Sequence, residues 1–448
     1  MFSDIIFYVY NNSFKIYNYF LFFCFIWSLL ELINWFIYLY IYIKIISPKA
    51  KYFKKKDVEN IIKRVDKLSQ LEIEYIIKGC VIYDKYNHTE ILFEKFDIKD
   101  MTKKEIINLL GYSLFGLDNE LLIKSNELTK IYKLLLKIEN KLNHKFKNVD
   151  LNRYLYRSWG KDFIKFTFRP LFIQIIIRLV MNICHYYMIF KLKFKYSIDE
   201  KSKIGYLYKE QRDPSKKDLI FIHGFGFGYV PYIRRLTHLN LKYNLIILII
   251  PNISSYNYYD DINIGLFPSI NIIKDSFYNF ITMHNITNIN ILSHSFGTYI
   301  TQIIRNDSRA NIIDKIIMVD PVIFWIGCFK ASVYIDQYPV NATKIVDYIF
   351  ELFLCKVVYQ CLYLKYICLR VMFGPDFWIY NGTELEQQKI MLILEYNDHV
   401  IPAELLYKKI KNKKISYYYL SDALHGSVLL DHKFDNVFNN IIEYFDTI

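Results

Sequence analysis

Two rhythms of apolar and polar residues divide this chain. Residues 16–43 read IYNYFLFFCFIWSLLELINWFIYLYIYI, an apolar run broken by one charge, Glu31. About 20 apolar residues cross the hydrocarbon of a bilayer, so the run predicts one transmembrane helix with some tilt. Trp27, Trp35 and the tyrosines suit the two interfaces. From about 57 to 165 the period is helical. Leu128, Ile131, Leu135, Ile138 and Leu142 recur at three and four with Lys and Glu between them, which predicts an amphipathic helix packed on a core. A second apolar stretch, Arg169 to Phe190, is interrupted by Arg178. Its expected place is against the domain that follows, with the membrane interface as the alternative.

From about Lys193 the rhythm changes to short apolar runs alternating with helical stretches. Candidate strands are 204–208, 219–223, 244–250, 288–293, 312–319, 390–396 and 415–420. Candidate helices lie near 230–240, 270–284, 297–308, 402–412 and 427–445. Such alternation predicts an α/β fold, a mostly parallel sheet with helices on both faces. The strands are apolar almost throughout, as strands covered on both faces should be. Chemistry in such sheets gathers at the carboxyl ends of the strands.

Composition sharpens this picture in two places. Only 14 of 448 residues are glycine, so any cluster of them is informative. The formal charge of +13 falls wholly in the first 203 residues, because from Ile204 onward 23 basic residues balance 23 acidic ones. No zinc-finger spacing or aromatic–basic RNA motif accompanies the basic half, so nucleic acid is not an expected partner. Residues 44–64 hold eight Lys or Arg, directly after the apolar run. The positive-inside rule then places the bulk of the chain on the cytosolic side of a single-pass anchor, with the lipid bilayer as a partner. The seven cysteines form no C-x-x-C pair and read as packing residues, and neither a metal nor a cofactor is expected.

The chemistry concentrates in three stretches. In ILSHSFGTYI, 291–300, a strand runs into a helix with Ser295 at the turn. So tight a reversal strains the serine backbone and needs small residues two positions to either side, here Ser293 and Gly297. The turn also leaves Ser295 at a helix N-terminus, where free N–H groups favour negative charge. In LIFIHGFGFG, 219–228, three of the 14 glycines fall within five residues. Glycines let a loop pass close to a ligand. Neither the G-K-[ST] of a phosphate loop nor dinucleotide spacing is present.

Ser293-His294-Ser295-Phe296-Gly297 resembles the nucleophile elbow of the α/β-hydrolase superfamily, with serine in place of the first glycine. The resemblance covers roughly residues 193–448. It implies an oxyanion hole made by the N–H groups of Phe225 and Phe296, supported by His223, Gly224 and Gly226. It also implies an acid at a later strand end and a histidine after the last strand. Asp398 in IMLILEYNDHVIP and His425 in LSDALHGSVLLD follow Ser295 in that order. Asp320, in IMVDPV, ends the strand after the nucleophile helix and is the alternative acid. Ser295 would then be the nucleophile, His425 the general base and Asp398 the group that orients it. His294 is expected to point away into packing, and His223 to shape the loop.

About 65 residues separate Asp320 from the strand at Ile390, too many for a simple connection. The family commonly inserts a helical lid there, and this stretch is aromatic and apolar. The layout more loosely resembles membrane-tethered hydrolases of fungi and protists. The expected organisation is a tail at 1–15, an anchor at 16–43, a basic and mainly helical region at 44–192, and an α/β-hydrolase domain at 193–448 with a lid at about 322–388. The expected activity is hydrolysis of a lipid or lysolipid ester. An acyltransferase or thioesterase using the same residues is one alternative, and a silent scaffold is another.

Overall fold

The computed structural model of the chain describes residues 2–46, 59, 62–63, 65–86, 89–90, 96–112, 127–156, 167–254, 267–324, 362–367, 385–386 and 389–447. Most of the expected lid, and Cys328, Cys355, Cys361 and Cys368, lie outside them.

One helix, α1 (Phe2–Ile46), takes in both the expected anchor and the stretch at 1–15 expected to be a tail. No proline or glycine occurs before Pro48 to interrupt it. Its segment Tyr17–Ile43 is long and apolar enough to cross a membrane. Helices α2 (Gln70–Cys80) and α3 (Lys103–Leu110) each begin with a capping box, Ser69 with Glu72 and Thr102 with Glu105. The amphipathic stripe becomes α4 (Leu128–Leu142), burying Ile131, Leu134, Leu135, Ile138 and Leu142. This region is not only helical. A three-stranded antiparallel sheet, β1 (Val81–Asp84), β2 (Thr89–Glu90) and β3 (Tyr154–Tyr156), joins it in the order β2-β1-β3. Arg153 closes that sheet by pairing with the buried Asp84 at 2.6 Å. The second apolar stretch forms α5 (Leu171–Tyr186), prolonged to Lys191 by a wider helical turn.

The main sheet has eight strands: β4 (Lys195–Ile198), β5 (Gly205–Tyr208), β6 (Asp218–Ile222), β7 (Asn244–Ile249), β8 (Ile289–His294), β9 (Ile313–Val319), β10 (Ile390–Glu395) and β11 (Ser416–Leu420). Their order is β4-β5-β7-β6-β8-β9-β10-β11. β5 runs antiparallel to both β4 and β7, and every pair from β7 to β11 is parallel. The connecting helices are α6 (Ile233–Lys242), α7 (Ile270–Met283), α8 (Phe296–Arg305), α9 (Ala403–Ile410), α10 (Ser427–Leu430) and α11 (Asp435–Ile442). β4 is the strand the apolar pattern does not reveal: it sits at the edge, half exposed, with lysine and serine among its four residues.

Alternate residues of β6 divide between two cores. Ile220 and Ile222 face a core shared with α7, α8, α9 and the N-terminal helices. Leu219 and Phe221 face a second core with α6 and α11. All five residues of β6 and all six of β8 are buried, which fixes where these strands end. The basic region is tied to this domain as well, for Lys409 of α9 pairs with the buried Glu72 of α2. α8 crosses β6 so closely that a Cβ on Gly297 would lie 2.3 Å from the carbonyl oxygen of Ile222. Backbone cannot yield there as a side-chain tip can. Gly297→Ala is therefore expected to lower stability by about 1–3 kcal/mol, measured as a fall in the denaturation midpoint.

Candidate active site

β8 delivers Ser295 at its carboxyl end, in a turn that leads directly into α8. Ser295 has φ 50° and ψ −119°, a strained backbone for a residue with a Cβ. The turn is held by its N–H donating to the Val319 carbonyl at 2.9 Å and by Thr298 N–H donating to the Ser295 carbonyl at 2.9 Å. Ser293, two residues earlier, is fully buried, its hydroxyl directed at the Ile317 carbonyl.

The loops after β10 and β11 bring the other two residues. His425 Nε2 lies 3.0 Å from Ser295 Oγ, and Nδ1 lies 2.7 Å from Asp398 Oδ2. Asp398 accepts two backbone N–H groups through Oδ1, from Val400 at 2.6 Å and Ile401 at 2.9 Å. Oδ2 is thereby aimed at the imidazole. Asp320 Oδ2 is farther from Nδ1, at 3.6 Å. The eight-stranded order, the serine elbow after β8 and the histidine after the last strand occur together on one sheet edge. The chain has the α/β-hydrolase fold.

No family model matches the chain, and no curated protein does. Among solved structures it is similar to naproxen esterase from Bacillus subtilis, at 12% identity over 60% of this chain and 97% of that one, with a TM-score of 0.41. It is similar to a bacterial membrane phospholipase A at 10% identity over 60% and 92%, TM-score 0.43. A 2-hydroxy-6-oxo-6-phenylhexa-2,4-dienoate hydrolase from Rhodococcus sp. strain RHA1 matches at 11% identity over 57% and 99%, TM-score 0.41. At this distance nothing about activity passes from them to this α/β-hydrolase chain, and the fold assignment rests on its own strand order and elbow.

The first glycine-rich loop follows β6. His223 is fully buried, its Nε2 accepting from Ile250 N–H at 3.2 Å and its Nδ1 donating to the Gly224 carbonyl at 2.8 Å. Burial pushes this ring down to about 4, outweighing the hydrogen bond to Gly224. It is a neutral pin between the loop and the end of β7, not a proton carrier. Gly224 lies against Ser295 Cβ and His294. Gly226 has φ 117° and donates its N–H to the Ile253 carbonyl at 3.0 Å. The rings of Phe225 and Phe296 pack 4.4 Å apart at a tilt of 32°, which sets the loop beside the first turn of α8, where backbone N–H groups lack helical partners.

Two buried carboxyls beneath His425 form a clamp, and the sequence signals only one of them. Asp320 Oδ2 accepts from Gly426 N–H at 2.7 Å. Glu395, the last residue of β10, accepts from Ser427 N–H at 2.9 Å and Val428 N–H at 2.7 Å. Three successive amides after His425 are thus held by two side chains from adjacent strand ends. Burial, reinforced by the nearby Glu395 and Asp398 charges, raises the Asp320 carboxyl well above its ordinary value. Burial also raises Glu395, partly offset by the hydrogen bond from Asp320. Among the described residues no N–H or O–H donor reaches Asp320 Oδ1, and burial beside two other carboxyls favours the neutral form of Asp320.

His294, expected to point away from the site, is instead packed beneath it. Its ring lies 5.0 Å from that of His425, with Nδ1 2.7 Å from the Tyr232 hydroxyl and Nε2 3.7 Å from Asp320 Oδ2. The reason is Gly426, whose missing side chain leaves room: a Cβ there would be 3.0 Å from His294 Nε2. Burial, with His425 and His223 nearby, holds His294 well below the usual histidine range, so it is neutral. His294, Asp320 and His425 present nitrogen and oxygen atoms within 4.8 Å of one another, a spacing a metal ion could bridge. His425 Nδ1 is already committed to Asp398, and a cation there would compete with that bond.

A neutral, hydrogen-bond-donating Asp320 is mimicked by asparagine. Asp320→Asn should retain most of the turnover a Ser295–His425 pair supports, whereas Asp398→Asn, which imposes the wrong imidazole tautomer, should lower kcat roughly ten-thousandfold. Comparing kcat for the two variants separates the two acids. The folded chain also keeps the Asp320 proton to higher pH than the unfolded chain. Stability should therefore be greatest below 3.8 as far as this group is concerned, and fall as pH rises from there towards the raised folded value. Denaturation midpoints measured across that rise should decline more steeply in wild type than in Asp320→Asn.

Proposed function

We propose that the protein is a membrane-anchored serine hydrolase that cleaves the acyl ester of a lipid or lysolipid through an acyl-enzyme. The observation that carries this reading is His425, hydrogen-bonded at once to Ser295 Oγ and Asp398 Oδ2. Ser295 Oγ attacks the ester carbonyl as His425 Nε2 takes its proton. The tetrahedral oxyanion is met by the N–H groups of Phe225 and Phe296. Collapse breaks the ester bond, and His425 returns the proton to the departing alcohol. Water then attacks the Ser295 ester with His425 as base, releasing the fatty acid and restoring the serine. Asp398 keeps Nδ1 protonated throughout and stabilises the imidazolium.

The lipid character of the substrate is supported by two features. α1 is long and apolar enough for an anchor, and the Lys/Arg-rich run at 44–64 behind it favours a cytosolic hydrolase domain. Phe225 and Phe267, both only partly buried, pack against the buried Phe296 beside Ser295 and give that side of the site aromatic surface, suited to an acyl chain. A fluorophosphonate probe should label the detergent-extracted wild type, and Ser295→Ala and His425→Ala should both abolish labelling. Loss in both variants, with release of fatty acid from lysophospholipid by wild type alone, is the expected result. A folded wild type that takes no label overturns the hydrolase reading.

A further inference from the structure

α5 and its extension to Lys191 have two unlike faces. The inward face, Gln174, Ile177, Met181, His185 and Met188, is buried. The outward face is apolar and open: Phe172, Ile175, Leu179, Ile183, Tyr186 and Phe190 are each 48–67% exposed and repeat at three and four. Large contiguous apolar surface of this kind does not stay in water. The stretch Leu171–Lys191 is itself long and apolar enough to cross a membrane.

What covers that face is indicated by its attachment. Glu31, the lone charge in the apolar span of α1, accepts the Leu171 N–H through both carboxylate oxygens at 2.9 and 3.0 Å, capping the start of α5. Asn34 of α1 donates to the Arg169 carbonyl at 3.3 Å, and Gln174 of α5 donates to Asn34 Oδ1 at 3.1 Å. A charge that is costly in hydrocarbon is thus satisfied between two helices. The outer surface of α1 at this level, including Leu29, Ile33 and Phe36, is apolar and exposed as well. The two open faces therefore belong to one surface.

The inward face reaches the site. His185 Nδ1 lies 3.1 Å from the Tyr229 hydroxyl, and Met181 packs against Gly228, the last glycine of the oxyanion loop. We propose that the outward face of α5 is embedded in the same bilayer as α1 and seats the hydrolase domain on the membrane with its oxyanion loop beside the lipid. The occupant of this face is the acyl region of a phospholipid bilayer. Substrate then enters from the membrane plane instead of from water. The embedding of α5 rests on the membrane reading above and is independent of whether Ser295 is active, whereas lateral entry rests on the hydrolase reading as well.

The test uses the full chain in vesicles of phosphatidylcholine and phosphatidylserine, with a benzophenone amino acid replacing Leu179, Ile183, Phe22 of α1 or Lys411, a charged residue exposed directly after α9. Lipid adducts at 179, 183 and 22, and none at 411, are expected. Adducts at 22 but not at 179 or 183 overturn the proposal and leave the anchor standing. No adduct at any position overturns the membrane reading and this proposal with it. In addition, the double variant Ile175→Gln/Leu179→Gln should lower the ratio of vesicle-lipid to soluble short-ester hydrolysis at least fivefold. An unchanged ratio overturns lateral entry.

Discussion

The grip of Asp320 and Glu395 on the three amides after His425 is the constraint on which the rest of the site depends. His425 stands on a loop, and loops alone do not hold an imidazole to within hydrogen-bond distance of two partners. Here the three amides that follow it, Gly426, Ser427 and Val428, are gripped by carboxyl oxygens rooted at the ends of β9 and β10. Two buried carboxylates side by side could not both be charged, and one proton between them turns repulsion into a hydrogen bond. The remaining negative charge then faces the start of α10, whose first two amides donate to Glu395. The grip explains why Asp320, although a strand-end acid, lies farther than Asp398 from His425 Nδ1.

Each neighbouring element is adjusted to that clamp. Asp320 takes a left-handed backbone, φ 49°, directly after β9. Gly426 takes φ 81° and leaves space for His294 beneath His425. His294, neutral and bonded to Tyr232, fills the floor without competing for the proton that His425 moves. His223 does the same on the other side of Ser295, holding the oxyanion loop to the end of β7. Three histidines thus surround Ser295, and burial holds two of them, His223 and His294, below the usual histidine range. Burial separates their roles.

How far this was legible in the sequence follows from where the information resides. The central strands β6 to β10 stand out because both of their faces are covered, which leaves near-continuous apolar runs. β4 does not, because an edge strand of four residues with a lysine and a serine has no such run. The sheet formed by β1, β2 and β3 escapes for the same reason, since its strands are two to four residues long and β1 pairs with β3 across some 70 residues. Ser295, Asp398 and His425 are readable because each is a chemically distinctive residue at the end of an apolar stretch. Glu395 is not, being an acid three residues before another at the same strand end. The position of His294 depends on Tyr232, 62 residues earlier, and on a glycine 132 residues later. No local pattern carries those contacts.

The same logic applies to Glu31. Read along the chain, it is a flaw in an otherwise apolar span. Read in space, it caps a second apolar helix whose backbone N–H would otherwise be unpaired. A carboxylate in hydrocarbon is tolerable only where another element repays its desolvation, and α5 is that element. The consequence runs toward the chemistry, because α5 continues directly into β4 and leans on the loop that would stabilise the oxyanion. The apolar helix α1 and the loop beside Ser295 are therefore linked through one helix, so the geometry that satisfies a charge within α1 also bears on the loop beside the nucleophile candidate.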